Sequence, residues 1–277
     1  MQPGARLLVL TSDGDGPAVL ARLLTSLGFG ASRLTLLEAL GGPRERVRTT
    51  KANDFAVGAV DALNTLAIEV EAAPDARIIA RACGLADHLF EHDGQITKRE
   101  VRAVTLSSLA PRRGELLWDI GAGAGSIAIE WMLADPPFMR AIAVEARADR
   151  AARIHRNAAA FGVPSLEVVQ GAAPSARASM PPPDAIFVGG ASDPGVLDAA
   201  IAALRAGGRL VVNAVTLETE ALLIERHAAL GGELIRIAIA RADAVGNKTG
   251  WRPAMPVTQW SWVKSWVKPL AKSGIKP

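Results

Sequence analysis

One ten-residue stretch limits the folds open to this chain: Leu117-Trp118-Asp119-Ile120-Gly121-Ala122-Gly123-Ala124-Gly125-Ser126. A short apolar run reads as a buried strand. Three glycines at alternate positions read as a sharp turn, and an apolar helix opens at Ser126. Glycines let the backbone turn tightly and approach a ligand, and the free amides of a helix N-terminus suit a carboxylate or phosphate. The same alternation continues on either side. Strands are predicted at 115–120, 141–145, 166–170, 185–188 and 209–214, and helices at 126–133, 149–161, 196–205 and 218–230. Nearly continuous apolar strands separated by helices imply a doubly wound α/β fold, its mostly parallel sheet covered on both faces. Segments 233–240 and 256–263 have no clear helix between them, so they are expected to form an antiparallel pair at one edge. A helix is also predicted from Lys98, with Val101, Val104, Thr105 and Leu109 on one face and Pro111 ending it.

Residues 1–75 read as a smaller, partial α/β lobe. A buried strand is predicted at 6–11, a helix from Pro17 with a stop at Gly28, and strands at 34–40 and 66–70. So few elements would struggle to close a core alone. The larger domain is expected to span 76–262, followed by a basic tail at 263–277. After Asp243 there are no acids, but six cations and four of the six tryptophans, Trp251, Trp260, Trp262 and Trp266. These read as an edge strand with inward Trp followed by a tail, or as a cationic aromatic surface for an anionic planar ligand. With 31 Lys+Arg against 28 Asp+Glu, the charge of +3 is too mild to argue for nucleic acid. One cysteine, Cys83, excludes an intrachain disulfide framework and fits a reducing compartment, and no apolar run of membrane-spanning length is present. A cytoplasmic protein without membrane or nucleic-acid partners is expected. His88 and His92 have i, i+4 spacing but lack a convincing third ligand, so no metal is predicted.

In a fold of this kind an acid at the end of the next strand holds ribose hydroxyls, and Glu145 stands there, 24 residues after Gly121. The glycine pattern fits a dinucleotide fingerprint only loosely. Asp119, two residues before the first glycine, gives instead D-x-G-x-G-x-G, which resembles motif I of class I methyltransferases. That resemblance implies S-adenosylmethionine as cofactor, held by Asp119, the run Gly121, Ala122, Gly123, Ala124 and Gly125, and Glu145. Gly171 and Ala172 follow the third strand, where the adenine would lie. Gly189 and Gly190 end the fourth, facing a methyl acceptor.

Longer strings narrow the resemblance. Residues 93–103 (DGQITKREVRA), 183–190 (PDAIFVGG), 209–218 (RLVVNAVTLE) and Trp251-Arg252-Pro253 resemble the precorrin-6Y C5,15-methyltransferase (decarboxylating) family of cobalamin biosynthesis, in its C-terminal half. This implies methylation at carbon 15 of a precorrin, an anionic tetrapyrrole, with decarboxylation of the ring-C acetate at carbon 12. It also implies that Thr97 touches the cofactor, although Thr97 alone reads equally as a helix N-cap. A homo-oligomer, plausibly a tetramer, is implied too. Residues 1–71 resemble the C-terminal lobe of the family's other half, a tetrapyrrole methylase acting at carbon 5. The lobe with the early glycine-rich loop has no counterpart here, so carbon-5 methylation is not expected and the chain reads as a fragment or truncated form.

On the acceptor side Asn213 is expected to hydrogen-bond the macrocycle, and Glu218 to orient it or relay a proton. Glu218 reads equally as a first-turn helix acid. Gly189, Gly190 and Thr216 would line the site, and Lys98, Arg99, Arg102 and Arg252 are the candidate cations for substrate carboxylates. Three other readings stay open: a nicotinamide-dependent reductase, a class I methyltransferase acting on RNA or protein, and an inactive partner subunit. The absence of tyrosine closes the Tyr-Lys form of the first.

Overall fold

The computed structural model describes residues 1–171, 180–190 and 193–266. Its contacts divide the chain into two units, 1–80 and 81–277.

The first unit is a four-stranded antiparallel sheet: β1 (Arg6–Leu10), β2 (Arg33–Glu38), β3 (Arg46–Lys51) and β4 (Asn64–Glu69), in the order β1-β4-β2-β3. Helix α1 (Gly16–Ser26) starts with Pro17 in its first turn. It packs Ala21 and Leu24 against Leu34, Leu36, Leu66 and Ile68, a small but closed core. Two expectations need correction. The strand at 6–11 is not buried: β1 lies at a sheet edge, with Leu8 and Leu10 76% and 83% exposed. And β3, Arg-Val-Arg-Thr-Thr-Lys, went unseen because it has no apolar alternation to announce it.

A buried carboxylate organises this hairpin. Glu38 has no solvent exposure. It accepts from Arg46 Nη2 at 2.7 Å, Arg48 Nε at 2.8 Å and the Asp61 amide at 2.9 Å, tying β3 and the following loop to β2.

In the second unit the sheet order is β10-β13-β9-β8-β5-β6-β7. The strands β5 (Leu116–Ile120), β6 (Arg140–Glu145), β7 (Glu167–Gln170), β8 (Ala185–Gly189) and β9 (Arg209–Ala214) are parallel. Strand β13 (Val257–Val263) returns antiparallel between β9 and β10 (Glu233–Ile237), as the sequence implied. The helices are α2 (Arg99–Leu109), α3 (Ser126–Leu133), α4 (Ala148–Ala160), α5 (Pro194–Ala203) and α6 (Leu217–Leu230). Local chemistry sets their ends. Ala110 adopts the left-handed conformation just before Pro111 and closes α2. The Asp193 carboxylate accepts from the Gly195 amide to open α5, and the Thr216 hydroxyl from the Thr219 amide to open α6.

One hairpin of this unit was missed. Strands β11 (Ala240–Val245) and β12 (Lys248–Pro253) form a separate hairpin, so the strand expected at 233–240 stops at Ile237. Of the tail tryptophans, Trp260 is fully buried and stacks on Trp262, with ring centroids 6.2 Å apart. Trp251 and Trp266 are exposed.

After β5 the chain winds outward through β6 and β7, then returns to the other side of β5 as β8. The strand order therefore switches at β5/β8, and a crevice opens at the carboxyl ends of these two strands.

The Glu38 ion pairs yield a prediction. Burial pushes the Glu38 carboxyl up, but bonds from Arg46 and Arg48 outweigh it and hold the pKa at about 2, below its ordinary 4.5. A depressed acid stabilises the fold above the unfolded-state value and loses that contribution as pH falls toward 2. Amide exchange in β2 and β4 should therefore quicken as pH drops from about 4.5, after correction for intrinsic rates. Glu38→Gln should raise exchange near neutrality and flatten the acid dependence.

Candidate active site

The site starts from the register of β5 and β6. Ile120 pairs with Val144, so the chain leaving β5 meets the end of β6. The Gly121 and Ala122 amides both donate to the Val144 carbonyl, at 3.0 and 3.1 Å. The next amide, Gly123, donates to Glu145 Oε2 at 2.9 Å. Arg147 N donates to the other oxygen at 3.0 Å. Gly121 has φ +75°, and a Cβ there would stand 2.7 Å from the Gly189 carbonyl. Only glycine lets the end of β5 pass so close to the end of β8. Gly125, also left-handed, caps α3.

Asp119 lies beneath this turn, 1% exposed. One oxygen accepts from the Ala128 amide in the first turn of α3 at 3.0 Å, and the other has no partner among the described residues. Burial pushes its pKa up to about 7, with the nearby Glu145 charge adding to the shift against the Ala128 bond.

A cavity of about 470 Å³ opens over the loop. Gly121, Ala122 and Gly123 form its floor, Gly189, Gly190 and Phe187 come from β8, and Thr97 and Lys98 from the segment before α2. Apolar walls come from Val215, Ile237, Ile239, Met255 and Val257, and cations from Lys98, Arg150 and Arg241. No carboxylate, histidine or cysteine stands among the described lining residues.

The structure thus brings Thr97, Lys98, Gly121, Ala122, Gly123, Gly189, Gly190 and Asn213 to one cavity, with Glu145 directly behind Gly123. Ala124 is buried behind the loop. Gly171 follows β7, its amide on the Glu145 carbonyl at 3.0 Å. Ala172 lies outside the described residues. Thr97 is not the helix cap: that position belongs to Lys98.

Several expected roles do not survive. The Arg102 side chain is wholly buried, with four of its five N–H groups on Glu130, Asp87 and the carbonyls of Leu85 and Thr97, and it does not line the cavity, so it is not placed to meet a substrate. Asn213 lines the cavity, but its amide is held by neighbours rather than free: Nδ2 donates to Thr105 at 3.0 Å and Oδ1 accepts from Gln259 at 2.8 Å, which leaves one N–H and one lone pair. Glu218 is an exposed residue of the first turn of α6, outside the lining, and Thr216 serves as that helix's cap. Arg252 sits on the outer hairpin, 2.7 Å from Asp243, and Arg99 is exposed; neither lines the cavity. His88 lies in a one-turn 3₁₀ segment (Asp87–Leu89), and His92 Nδ1 accepts from the Gly94 amide rather than facing it. No metal-ligand cluster occurs among the described residues.

Sequence reasoning missed Arg150 and Arg241. Arg150 had a signal, standing in the first turn of the helix after Glu145. Arg241 had none, because its hairpin went unseen.

Ionising Asp119 opposes folding. Its pKa is raised from an ordinary 3.8, so the folded state holds the proton more tightly, and stability falls as pH rises from about 4 to about 7. Asp119→Asn should therefore gain stability relative to the parent across that interval and hold the gain above it. Urea unfolding followed by tryptophan fluorescence at pH 5 and pH 8 measures this; an equal difference at both would contradict it.

The precorrin methyltransferase domain family matches residues 88–264. The chain is 65% identical over 265 residues to a Sinorhizobium protein named precorrin-6Y C(5,15)-methyltransferase [decarboxylating], an alignment covering 95% of this chain. The match spans only 64% of that relative's length. It is 36% identical over 181 residues to a probable cobalt-precorrin-6B C(15)-methyltransferase (decarboxylating) of Pyrobaculum calidifontis, covering 92% of that protein and 63% of this one. A crystal structure of the C-terminal domain of precorrin-6Y C5,15-methyltransferase from Rhodobacter capsulatus superposes with a TM-score of 0.64 at 48% identity, over 67% of this chain and all of that domain. The doubly wound sheet with its glycine-rich first turn is a class I methyltransferase fold. Domain match, the Pyrobaculum calidifontis relative matched over nearly its full length and the superposed crystal structure agree that the chain belongs to the precorrin methyltransferase family.

Proposed function

We propose that this chain methylates carbon 15 of a precorrin from S-adenosylmethionine and decarboxylates the ring-C acetate at carbon 12, a step of cobalamin biosynthesis. The observation that carries this reading is the join between Gly123 and Glu145 at the switch point, directly behind an apolar cavity with cationic lining. The cofactor's chemistry fits the residues. A carboxylate offers about four acceptor positions, and Glu145 uses two on amides, leaving two for the ribose hydroxyls. The open floor of the loop suits a close-lying methionine moiety.

Bound there, S-adenosylmethionine supplies an electrophilic methyl group. The residues of the chain position, enclose and neutralise. Gly189 and Gly190 leave room for a flat acceptor beside the loop, and Phe187, Ile237, Ile239 and Val257 exclude water from it. Lys98, Arg150 and Arg241 face the acetate and propionate side chains of an anionic macrocycle. With no carboxylate, histidine or cysteine among the described lining residues, the macrocycle's conjugated nitrogens push the electrons that attack the methyl group, and the pair released as the acetate's carbon–carbon bond breaks to give carbon dioxide flows back into the conjugated ring. The catalysis asked of this chain is orientation and desolvation.

The reading assigns this chemistry to residues 76–262 and residues 1–75 to the C-terminal lobe of a tetrapyrrole methylase, with 263–277 as a basic tail. No described helix is long and apolar enough to cross a membrane; a cytoplasmic location is part of the proposal. A homo-oligomer remains part of the proposal.

Incubation with a late precorrin and S-adenosylmethionine should give a product with one methyl gained and one carbon dioxide lost, read by mass spectrometry. Two methyls gained would assign carbon-5 activity to the chain as well; an unchanged substrate would overturn the proposal. Glu145→Gln should weaken retention of labelled methyl donor in equilibrium dialysis by about tenfold or more, since a bond to a charged acceptor contributes roughly 1.5–3 kcal/mol.

A further inference from the structure

The segment between the 3₁₀ turn and α2, residues 91–98, runs as a strap beside the cavity, and Gly94 to Lys98 all line it. It forms no helix or strand itself, and only its last residue, Lys98, caps α2. A Cβ placed on Gly123 would stand 3.5 Å from the Gln95 carbonyl, so strap and glycine loop are in contact range. What holds them together is one side chain. Asn157, on α4 and 3% exposed, accepts from the Glu91 amide at 2.8 Å. Its Nδ2 donates to the Glu91 carbonyl at 3.0 Å and to the Ala124 carbonyl, inside the glycine loop, at 2.9 Å.

We infer that Asn157 is a positioning residue for methyl-donor binding: it staples the strap to the glycine loop, so that both sides of the cofactor cavity keep one geometry. The inference rests on the cofactor reading above. Only an amide can make these three bonds at once. A carboxylate cannot donate to two carbonyls, and an apolar residue leaves buried peptide groups unpaired. The rest of the strap is secured from outside. Asp93 meets Arg150 at 2.9 Å, and the Thr97 carbonyl takes a bond from the buried Arg102, itself bound to Glu130. Among these ties, Asn157 alone reaches the loop's own backbone.

The test uses the full chain. Asn157→Ala and Asn157→Asp should each raise the dissociation constant for S-adenosylmethionine at least tenfold at a temperature where both are folded. Hydrogen exchange in peptides covering 91–98 and 121–125 should quicken while that in β5 and β8 stays as in the parent. Asn64→Ala in the first unit, also buried and bonded through both ends of its amide, serves as the comparison; it should lower stability and leave the dissociation constant within twofold. In the parent protein, adding the methyl donor should slow exchange in strap and loop together. Donor affinity unchanged in both variants, or donor protecting the loop without the strap, would overturn the inference. If the variants do not fold, the parent's exchange pattern decides. If the parent takes up no methyl donor, the cofactor reading fails instead, and strap exchange in the variants still judges the staple.

Discussion

The bond from the Gly123 amide to the Glu145 carboxylate joins the two halves of the site, and most of the local architecture serves to make it possible. It needs the parallel register that sets Ile120 beside Val144, the absence of a side chain where Gly121 passes the Gly189 carbonyl, and a helix opening at once so that α3 can back the turn. Asp119 completes the support from below by accepting the Ala128 amide. The cost of that support is a carboxyl buried beside a second one, which is why its pKa rises to about 7. A mostly apolar sheet thus ends in a cluster of polar groups beside the β5/β8 switch in strand order.

Much of this was legible in the sequence because a parallel sheet buries both faces of each strand. Its strands then appear as uninterrupted apolar runs such as 141–145 and 209–214, and the helices between them as a 3.6-residue period. The same rule misled at 6–11, where an apolar run became an exposed edge strand: periodicity records composition, not position in the sheet. Strand β3 is polar along most of its length, and β11 and β12 have no uninterrupted run of large apolar residues, so none of the three carries such a signal. Their pairing depends on long-range register and on ion pairs such as Arg46–Glu38.

The candidate site was legible where backbone geometry sets it, and poorly legible where side chains do. The glycines and Glu145 are constrained by the turn itself, so residue type and spacing suffice to find them. Cations are different. A sequence reading takes an arginine as a surface charge, and Arg102 proved to be the centre of a buried network while the unremarked Arg150 and Arg241 line the cavity. Asn213 reads as a free hydrogen-bonding group in the sequence, whereas in the fold Thr105 and Gln259 hold both ends of its amide. In each case at least one partner (Glu130 for Arg102, Asp93 for Arg150, Glu100 for Arg241, Thr105 and Gln259 for Asn213) is more than 25 residues distant in the chain, beyond the reach of local pattern.

Everything proposed for the chemistry requires that this pocket hold an adenosyl methyl donor. Isothermal titration calorimetry on the unmodified chain measures this most directly. The account predicts saturable uptake of S-adenosylmethionine at one site per chain and no heat from NADPH. Binding of NADPH with none of S-adenosylmethionine would contradict it.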